Sequence, residues 1–261
     1  MKSYRGYILD LDGTTYVGKQ RLTSAENFIH RLNDKGLKYM FMTNNATRGV
    51  EEIYQHLAHY LELPVSSNQI YTSAIAAVEY LKEFYDRKSV FVLGEASLKA
   101  AVRKAGLDLD MSERAQLVLQ ALDRQVDYET LTVATRALLK GAEFIVTNRD
   151  QLIPTETGSS PSSGAITAFL EEASQVKAHL IGKPSPSIVE AAIKKMGLEK
   201  EDVLMIGDNY KTDIQAGHLA GVDTLLVLTG VSTEADIDPS LYQPTYICSD
   251  LGVVDLDNEA S

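Results

Sequence analysis

The sequence predicts an α/β fold in which parallel strands are joined by crossover helices, with a second α/β unit inserted into the first. Three observations carry that expectation. Short apolar runs alternate with amphipathic stretches along the chain, the pattern of strands linked through helices into a parallel sheet. Apolar runs at both ends of the chain stop in polar clusters rich in Asp, Asn, Gly and Thr. Between them lies a segment with its own alternation that lacks such clusters, followed by the polar Pro/Gly/Ser stretch Pro154–Gly164. The boundaries read from this are a core of residues 1–78 and 179–261 and an insert of residues 79–178.

The elements follow in order. Tyr7–Leu11 reads as a strand. Thr23-Ser24-Ala25-Glu26 has the spacing of a capping box. Phe28, Ile29 and Leu32 supply a helical apolar stripe, and Gly36 suits the residue after a helix end. Tyr39–Thr43 is the next strand, followed by candidates at Val90–Leu93, Gln116–Leu119, Phe144–Thr147, Val203–Ile206 and Thr224–Leu228. Helical patterns run near 49–62, 73–85, 95–105, 127–140, 164–174, 186–196 and 210–219. Ser185-Pro186 is a helix start with Pro at the first helical position. In such sheets ligands bind beyond the carboxyl ends of the strands, so the chemistry is expected there.

Composition narrows the class. Of 261 residues, 44% are apolar and 23% charged, ordinary globular values that exclude a disordered chain. The net charge of −11 disfavours non-specific binding to nucleic acid or an anionic membrane surface. No apolar run approaches a membrane span, and Met1–Gly6 shows no signal-peptide pattern. A lone cysteine, Cys248, excludes an intramolecular disulfide. The expectation is a soluble cytoplasmic protein.

Four clusters carry candidate chemistry. Asp10-Leu11-Asp12-Gly13-Thr14 ends the first strand. Residues i and i+2 of a strand share a face, so both carboxylates are expected to address one site with Leu11 in the core. Such a pair needs a cation or a shared proton, and it suits a nucleophile and a general acid/base. Thr43-Asn44-Asn45 ends the second strand just ahead of a helical pattern, an arrangement that can hold phosphate. Lys183, ahead of Ser185-Pro186, can reach a phosphate or neutralise clustered Asp. Val203–Gly207 runs into Asp208-Asn209, with Asp213 five residues on. Asp208 is placed for metal, and Asp213 can favour a helix dipole or hold Lys183.

Together these clusters resemble the four motifs of the haloacid-dehalogenase-type phosphohydrolases: Asp10–Thr14, Thr43, Lys183 and Gly207–Asp213. An insert between the second and third motifs resembles the branch of 4-nitrophenylphosphatases, nucleotide monophosphatases and phosphoglycolate phosphatases, as do Leu122-Asp123-Arg124 and Ile145–Asp150 within it. The chain departs from that pattern at Thr15 and at Gln120-Ala121, where an aliphatic residue and Val-Gly are usual.

The resemblance implies a Rossmann-like parallel-sheet core with an inserted α/β cap domain. It implies a Mg²⁺-dependent phosphomonoester hydrolase acting through an aspartyl-phosphate on a small phosphorylated metabolite, such as a sugar phosphate or nucleotide monophosphate. Asp10 is then the nucleophile, Asp12 the acid/base and Lys183 the charge-neutralising group. Thr43, Asn44, Asn45 and Lys183 hold the phosphate. The Asp10 and Asp208 carboxylates and the Asp12 carbonyl hold Mg²⁺, with Asn209 and Asp213 behind them. Asn148, Asp150 and Glu156 are candidates for selecting the substrate. A phosphotransferase or phosphomutase, and a non-catalytic sugar-phosphate sensor, stand as alternatives. No nucleic acid or membrane partner is expected, and a homodimer is the candidate assembly.

Overall fold

A computed structural model describes residues 1–85, 87–155 and 158–256. Its first strand, β1 (Gly6–Asp10), is buried along its whole length, as a central parallel strand covered on both faces must be. The small hairpin β2 (Tyr16–Val17) and β3 (Gln20–Arg21) leads into α1 (Thr23–Asp34) and β4 (Lys38–Thr43). Then come α2 (Val50–Gln55), β5 (Ile70–Thr72), α3 (Ser73–Phe84), β6 (Val90–Leu93), α4 (Ala96–Lys104), β7 (Leu117–Gln120) and α5 (Tyr128–Leu139). The chain continues through β8 (Glu143–Val146), β9 (Leu152–Thr155), β10 (Gly158–Pro161), α6 (Ser163–Ser174) and β11 (His179–Leu180). It ends with α7 (Pro186–Met196), β12 (Val203–Gly207), α8 (Gln215–Ala220), β13 (Asp223–Val227) and β14 (Tyr246–Cys248).

Two compact units form. The first takes Met1–Thr43, Val50–Tyr71 and the described part of Lys183–Ser261, and the second takes Asn44–Gly49 with the described part of Thr72–Gly182. The expected boundaries differ from these. A cut at 78/79 falls inside α3, which one hydrogen-bonded ladder makes indivisible. A cut at 178/179 removes β11, whose His179 and Leu180 pair with Ile145 and Val146 of β8.

The first unit is built on a six-stranded sheet in the order β14-β13-β12-β1-β4-β5. β1 pairs in parallel with both β4 and β12, and β13 and β14 extend the parallel set. The strand order reverses beside β1, the point at which such sheets open a ligand crevice. Phe28, Ile29 and Leu32 of α1 are fully buried with Tyr7, Leu9 and Phe41 from the strands. Phe28 meets Tyr7 edge to face at 5.8 Å, the arrangement favoured by ring quadrupoles. The second unit has its own parallel sheet, β11-β8-β7-β6. Its core joins Phe91, Val118 and Phe144 of the sheet to Ala134 and Leu138 of α5 and Leu170 of α6.

Two local expectations fail, and two expected helices form with a wider stretch in each. The capping box at Thr23–Glu26 does not form. Glu26 instead accepts two hydrogen bonds from the Arg21 guanidinium, at 2.7 and 3.1 Å, a charge-assisted pairing stronger than a cap. The helices expected over 49–62 and 210–219 each contain a wider π-helical stretch, His56–Tyr60 and Tyr210–Ile214. Residues 154–164, read as a loop, contribute to the antiparallel pair β9–β10 and the start of α6.

The core makes a testable statement. Phe28→Ala removes a fully buried ring and is expected to lower stability by about 3–5 kcal/mol. Tyr128→Ala, at a side chain 78% exposed, is expected to change it by no more than about 0.5 kcal/mol. Denaturant unfolding of the two variants beside wild type checks both.

Candidate active site

The parallel register of the central strands gathers the acidic residues. Leu9 lies opposite Ile206 across β1 and β12, so Asp10 ends its strand beside Gly207, one residue short of Asp208. Asp10 lies opposite Met42 of β4, one residue short of Thr43. All three strand ends are therefore neighbours at the carboxyl end of the sheet. The π-helical stretch after β12 adds Asp213, whose amide donates to the Asn209 carbonyl at 2.8 Å while its carboxylate accepts the Asn209 amide at 3.0 Å.

Lys183 is buried and bonds to Asp10 and, at 2.6 Å, to Asp213. Asp10, Asp208 and Asp213 are themselves buried, and their ligand oxygens lie within 4.8 Å of one another. Among the described residues they form the one such group able to hold a metal ion. Burial raises the Asp10 carboxyl well above the usual carboxylate range, with Asp213 and Asp208 adding to the rise against the opposing Lys183 charge. Burial, reinforced by Asp213, lifts Asp208 to about 6. Burial works against the Lys183 ammonium, yet the Asp10 and Asp213 charges outweigh it and raise its pKa. Three carboxyl groups thus face one ammonium; ionising all three makes a surplus of two negative charges, which low polarisability makes costly. A hard divalent cation with oxygen ligands fits that surplus.

The other sequence candidates divide between the two units. Leu11 is buried as expected, but β1 stops at Asp10 and Asp12 lies past the strand in a bridge with Tyr16. Its exposed carboxylate accepts the Gly18 amide at 2.9 Å. Asn209 caps the turn that follows it, its side-chain oxygen accepting the Lys211 amide. Thr43 closes β4 in the first unit, while Asn44 and Asn45 belong to the second. There the Asn44 carbonyl accepts from Ser73 Oγ at 2.7 Å and Asn148 Nδ2 at 2.9 Å, and the Asn44 amide group donates to Asp150 at 3.4 Å. Asn45 folds back to accept from Thr47. Asn148 is therefore buried, with its amide engaged by the backbone of Asn44, whereas Asp150 is half-buried. Glu156 lies outside the described residues.

Sequence reading missed the loop Thr229–Ser232 after β13. The Val231 amide donates to Asp208 Oδ2 at 2.7 Å and the Ser232 amide to the Asp208 carbonyl at 3.1 Å. A Cβ on Gly230 would stand 2.0 Å from Asp208 Oδ2. The only sequence signal was Thr229-Gly230 at the end of an apolar strand, too common a turn to stand out. Gly13 was legible: its φ of +97° and a would-be Cβ 2.3 Å from Asp208 both require glycine. Two sequence departures also find partners. The Thr15 hydroxyl donates to the Asp10 carbonyl at 2.8 Å. Gln120, fully buried, donates to Ser163 Oγ at 2.9 Å and accepts from Thr167 Oγ1 at 2.5 Å.

Comparison with known proteins extends over nearly the whole chain. A family model described as haloacid dehalogenase-like hydrolase matches residues 7–108, and a second, HAD-hydrolase-like, matches residues 180–254. The acid sugar phosphatase of Staphylococcus aureus is 40% identical over 251 residues, covering 96% of each chain. The crystal structure of a double mutant of the thermostable NPPase from Geobacillus stearothermophilus superposes with a TM-score of 0.92 at 41% identity, covering 98% of this chain and 100% of that one. NagD from E. coli K-12 gives 0.90 at 32% identity, with 97% and 99% covered. With identity at this level along almost its full length, and with the family's acidic strand ends held around a buried lysine, this chain belongs to the haloacid dehalogenase-like hydrolases.

Proposed function

We propose that the chain is a Mg²⁺-dependent phosphomonoester hydrolase whose nucleophile is Asp10. The observation that carries this reading is the buried Lys183 ammonium bonded to both Asp10 and Asp213, beside Asp208 at the ends of adjacent parallel strands. The kinship with an acid sugar phosphatase and with p-nitrophenylphosphatases supports a phosphate ester as substrate, with small sugar phosphates as the first class to test.

The Asp10 and Asp208 carboxylates and the Asp12 carbonyl would hold Mg²⁺, with Asn209 and Asp213 orienting the set from behind. Bound there, Mg²⁺ supplies positive charge against the phosphate and the three carboxylates. Asp10 attacks phosphorus in line and the ester oxygen leaves, giving an aspartyl-phosphate. Asp12 protonates the departing alkoxide and then takes a proton from the water that hydrolyses the acyl phosphate. Its exposed position suits a group that exchanges protons with substrate and solvent. Lys183 offsets the repulsion between the Asp10 carboxylate and a phosphate dianion, the electrostatic effect that dominates in sites of low effective dielectric. Thr43, Asn44 and Asn45 contribute hydroxyl, amide and backbone N–H donors to the phosphoryl oxygens. The second unit would act as the substrate-selecting domain, with Asp150 and Glu156 as its substrate-reading residues. Asn148 joins that set through Asn44, since its amide is already engaged there.

Three results test the reading. Asp10→Asn is expected to abolish turnover of p-nitrophenyl phosphate, because an amide cannot form the acyl phosphate; wild-type-like rates would refute the nucleophile. Asp12→Asn is expected to slow an alkyl phosphate by about 10²–10⁴-fold, the usual size of a general-acid effect. It should slow p-nitrophenyl phosphate far less, since nitrophenolate leaves without a proton. Equal losses on the chemical step count against Asp12 as the acid. Asp150→Ala, assayed on a panel of natural phosphomonoesters, is expected to change relative kcat/KM by roughly 10-fold, the scale of one polar contact. An unaltered rank order removes Asp150 from substrate selection and leaves the chemistry at Asp10 standing.

A further inference from the structure

The Asp208 carboxylate is gripped on both oxygens. Oδ2 accepts the Val231 amide at 2.7 Å and Oδ1 accepts the buried Thr14 hydroxyl at 3.2 Å. Glycine lies against it twice. A Cβ on Gly13 would be 2.3 Å from Oδ2, and one on Gly230 would be 2.0 Å from the same oxygen and 2.5 Å from Cγ. The loop that carries Gly230 is itself tied down. Thr229 Oγ1 donates to the Gly13 carbonyl at 2.5 Å, the Ser232 amide to the Asp208 carbonyl at 3.1 Å, and the Tyr210 amide to Ser232 Oγ at 2.9 Å. Backbone and hydroxyl donors therefore fix Asp208 at its carbonyl and at both oxygens of its side chain.

We propose that Thr229–Ser232 is a positioning loop that locks Asp208 in one orientation and thereby makes the site prefer Mg²⁺ over Ca²⁺. The inference rests on the reading of Asp208 as a metal ligand. Mg²⁺ demands near-ideal octahedral geometry at about 2.0–2.1 Å, whereas Ca²⁺ accepts six to eight oxygens, often with a bidentate carboxylate, at about 2.3–2.6 Å. A carboxylate with a protein donor on each oxygen and glycine backbone packed against it cannot rotate to offer both oxygens to a larger ion. Each oxygen keeps one lone pair, held in a fixed direction, and presentation of a single oxygen suits the smaller ion. Thr229 ties the loop to the Gly13 turn, and Gly230 leaves the room that the carboxylate occupies.

The test measures metal affinity directly, by titration calorimetry of the metal-free full-length protein with Mg²⁺ and separately with Ca²⁺. Thr229→Val removes the hydroxyl but keeps the shape, and it is expected to weaken Mg²⁺ binding about tenfold, the worth of roughly one hydrogen bond, while Ca²⁺ affinity moves by less than about threefold. Thr229→Ser restores the donor and should bring both ions back to within about threefold of wild type. Gly230→Ala, if it folds, should shift the ratio in the same direction as Thr229→Val. Unchanged Mg²⁺ affinity in Thr229→Val overturns the loop proposal and leaves the metal reading intact. So does an equal loss for both ions, or a Thr229→Ser variant as impaired as Thr229→Val. A wild-type protein that binds neither ion overturns the metal reading itself, and the loop proposal with it.

Discussion

One buried ammonium holds this acidic cluster together. Lys183, from the loop ahead of α7, reaches Asp10 at the end of β1 and Asp213 in the π-helical stretch after β12. Three chain segments far apart in sequence thus meet at one charge. Burying a cation costs several kcal/mol in lost hydration, and only well-placed counter-charges offset that. Removing either carboxylate would leave the ammonium short of a partner, while removing the ammonium would leave three carboxylates facing one another. The interaction is therefore organising rather than merely stabilising. It obliges β1 and β12 to be neighbours in register, and it obliges Asp213 to come back toward the strand end from which its segment departed.

The apolar framework beneath exists to keep that geometry. Phe28, Ile29 and Leu32 press α1 onto the sheet with Tyr7, Leu9 and Phe41, so the strand that ends in Asp10 has little freedom to slide. Gly207 leaves room for Asp213 in the same way that Gly13 does for Asp208, each glycine's missing side chain being filled by a carboxylate. Space in this region is allotted to charge, an inversion of the usual close packing of hydrocarbon.

Much of the fold was legible because its signals are local. The parallel strands at Val90–Leu93 and Val203–Gly207 and the helices Ser73–Phe84 and Pro186–Met196 fall where apolar periodicity and Ser185-Pro186 put them. What escaped depended on partners distant in sequence. The capping box at Thr23 lost its Glu26 to Arg21, a competition no spacing rule weighs. β9 and β10 hid in a run of Pro, Ser and Gly because only pairing makes them strands. The same division holds at the site. Asp10, Lys183 and Asp208 announced themselves as polar residues at strand ends, and the structure brings them together with Asp213. Asp12 was expected on the same strand face as Asp10, but β1 ends at Asp10, whose pairing with Met42 is its last, and Asp12 lies two residues beyond. The Thr229–Ser232 loop was invisible because it holds Asp208 through the backbone amides of Val231 and Ser232, which every residue possesses.

The buried Gln120 has a consequence of a different kind. Its amide lies inside the second unit with every exchange made locally: Nε2 donates to Ala121 O, Ser163 O and Ser163 Oγ, and Oε1 accepts from Thr167. Valine at this position would leave the Thr167 hydroxyl to the Ser163 carbonyl, 3.0 Å away, and would take from Ser163 Oγ the amide donor it accepts from. Positions 120, 163 and 167 thus form one hydrogen-bonded set inside the second unit. A chimaera that joins a β7 lacking this glutamine to the α6 of this chain would carry Ser163 Oγ in its core without that donor.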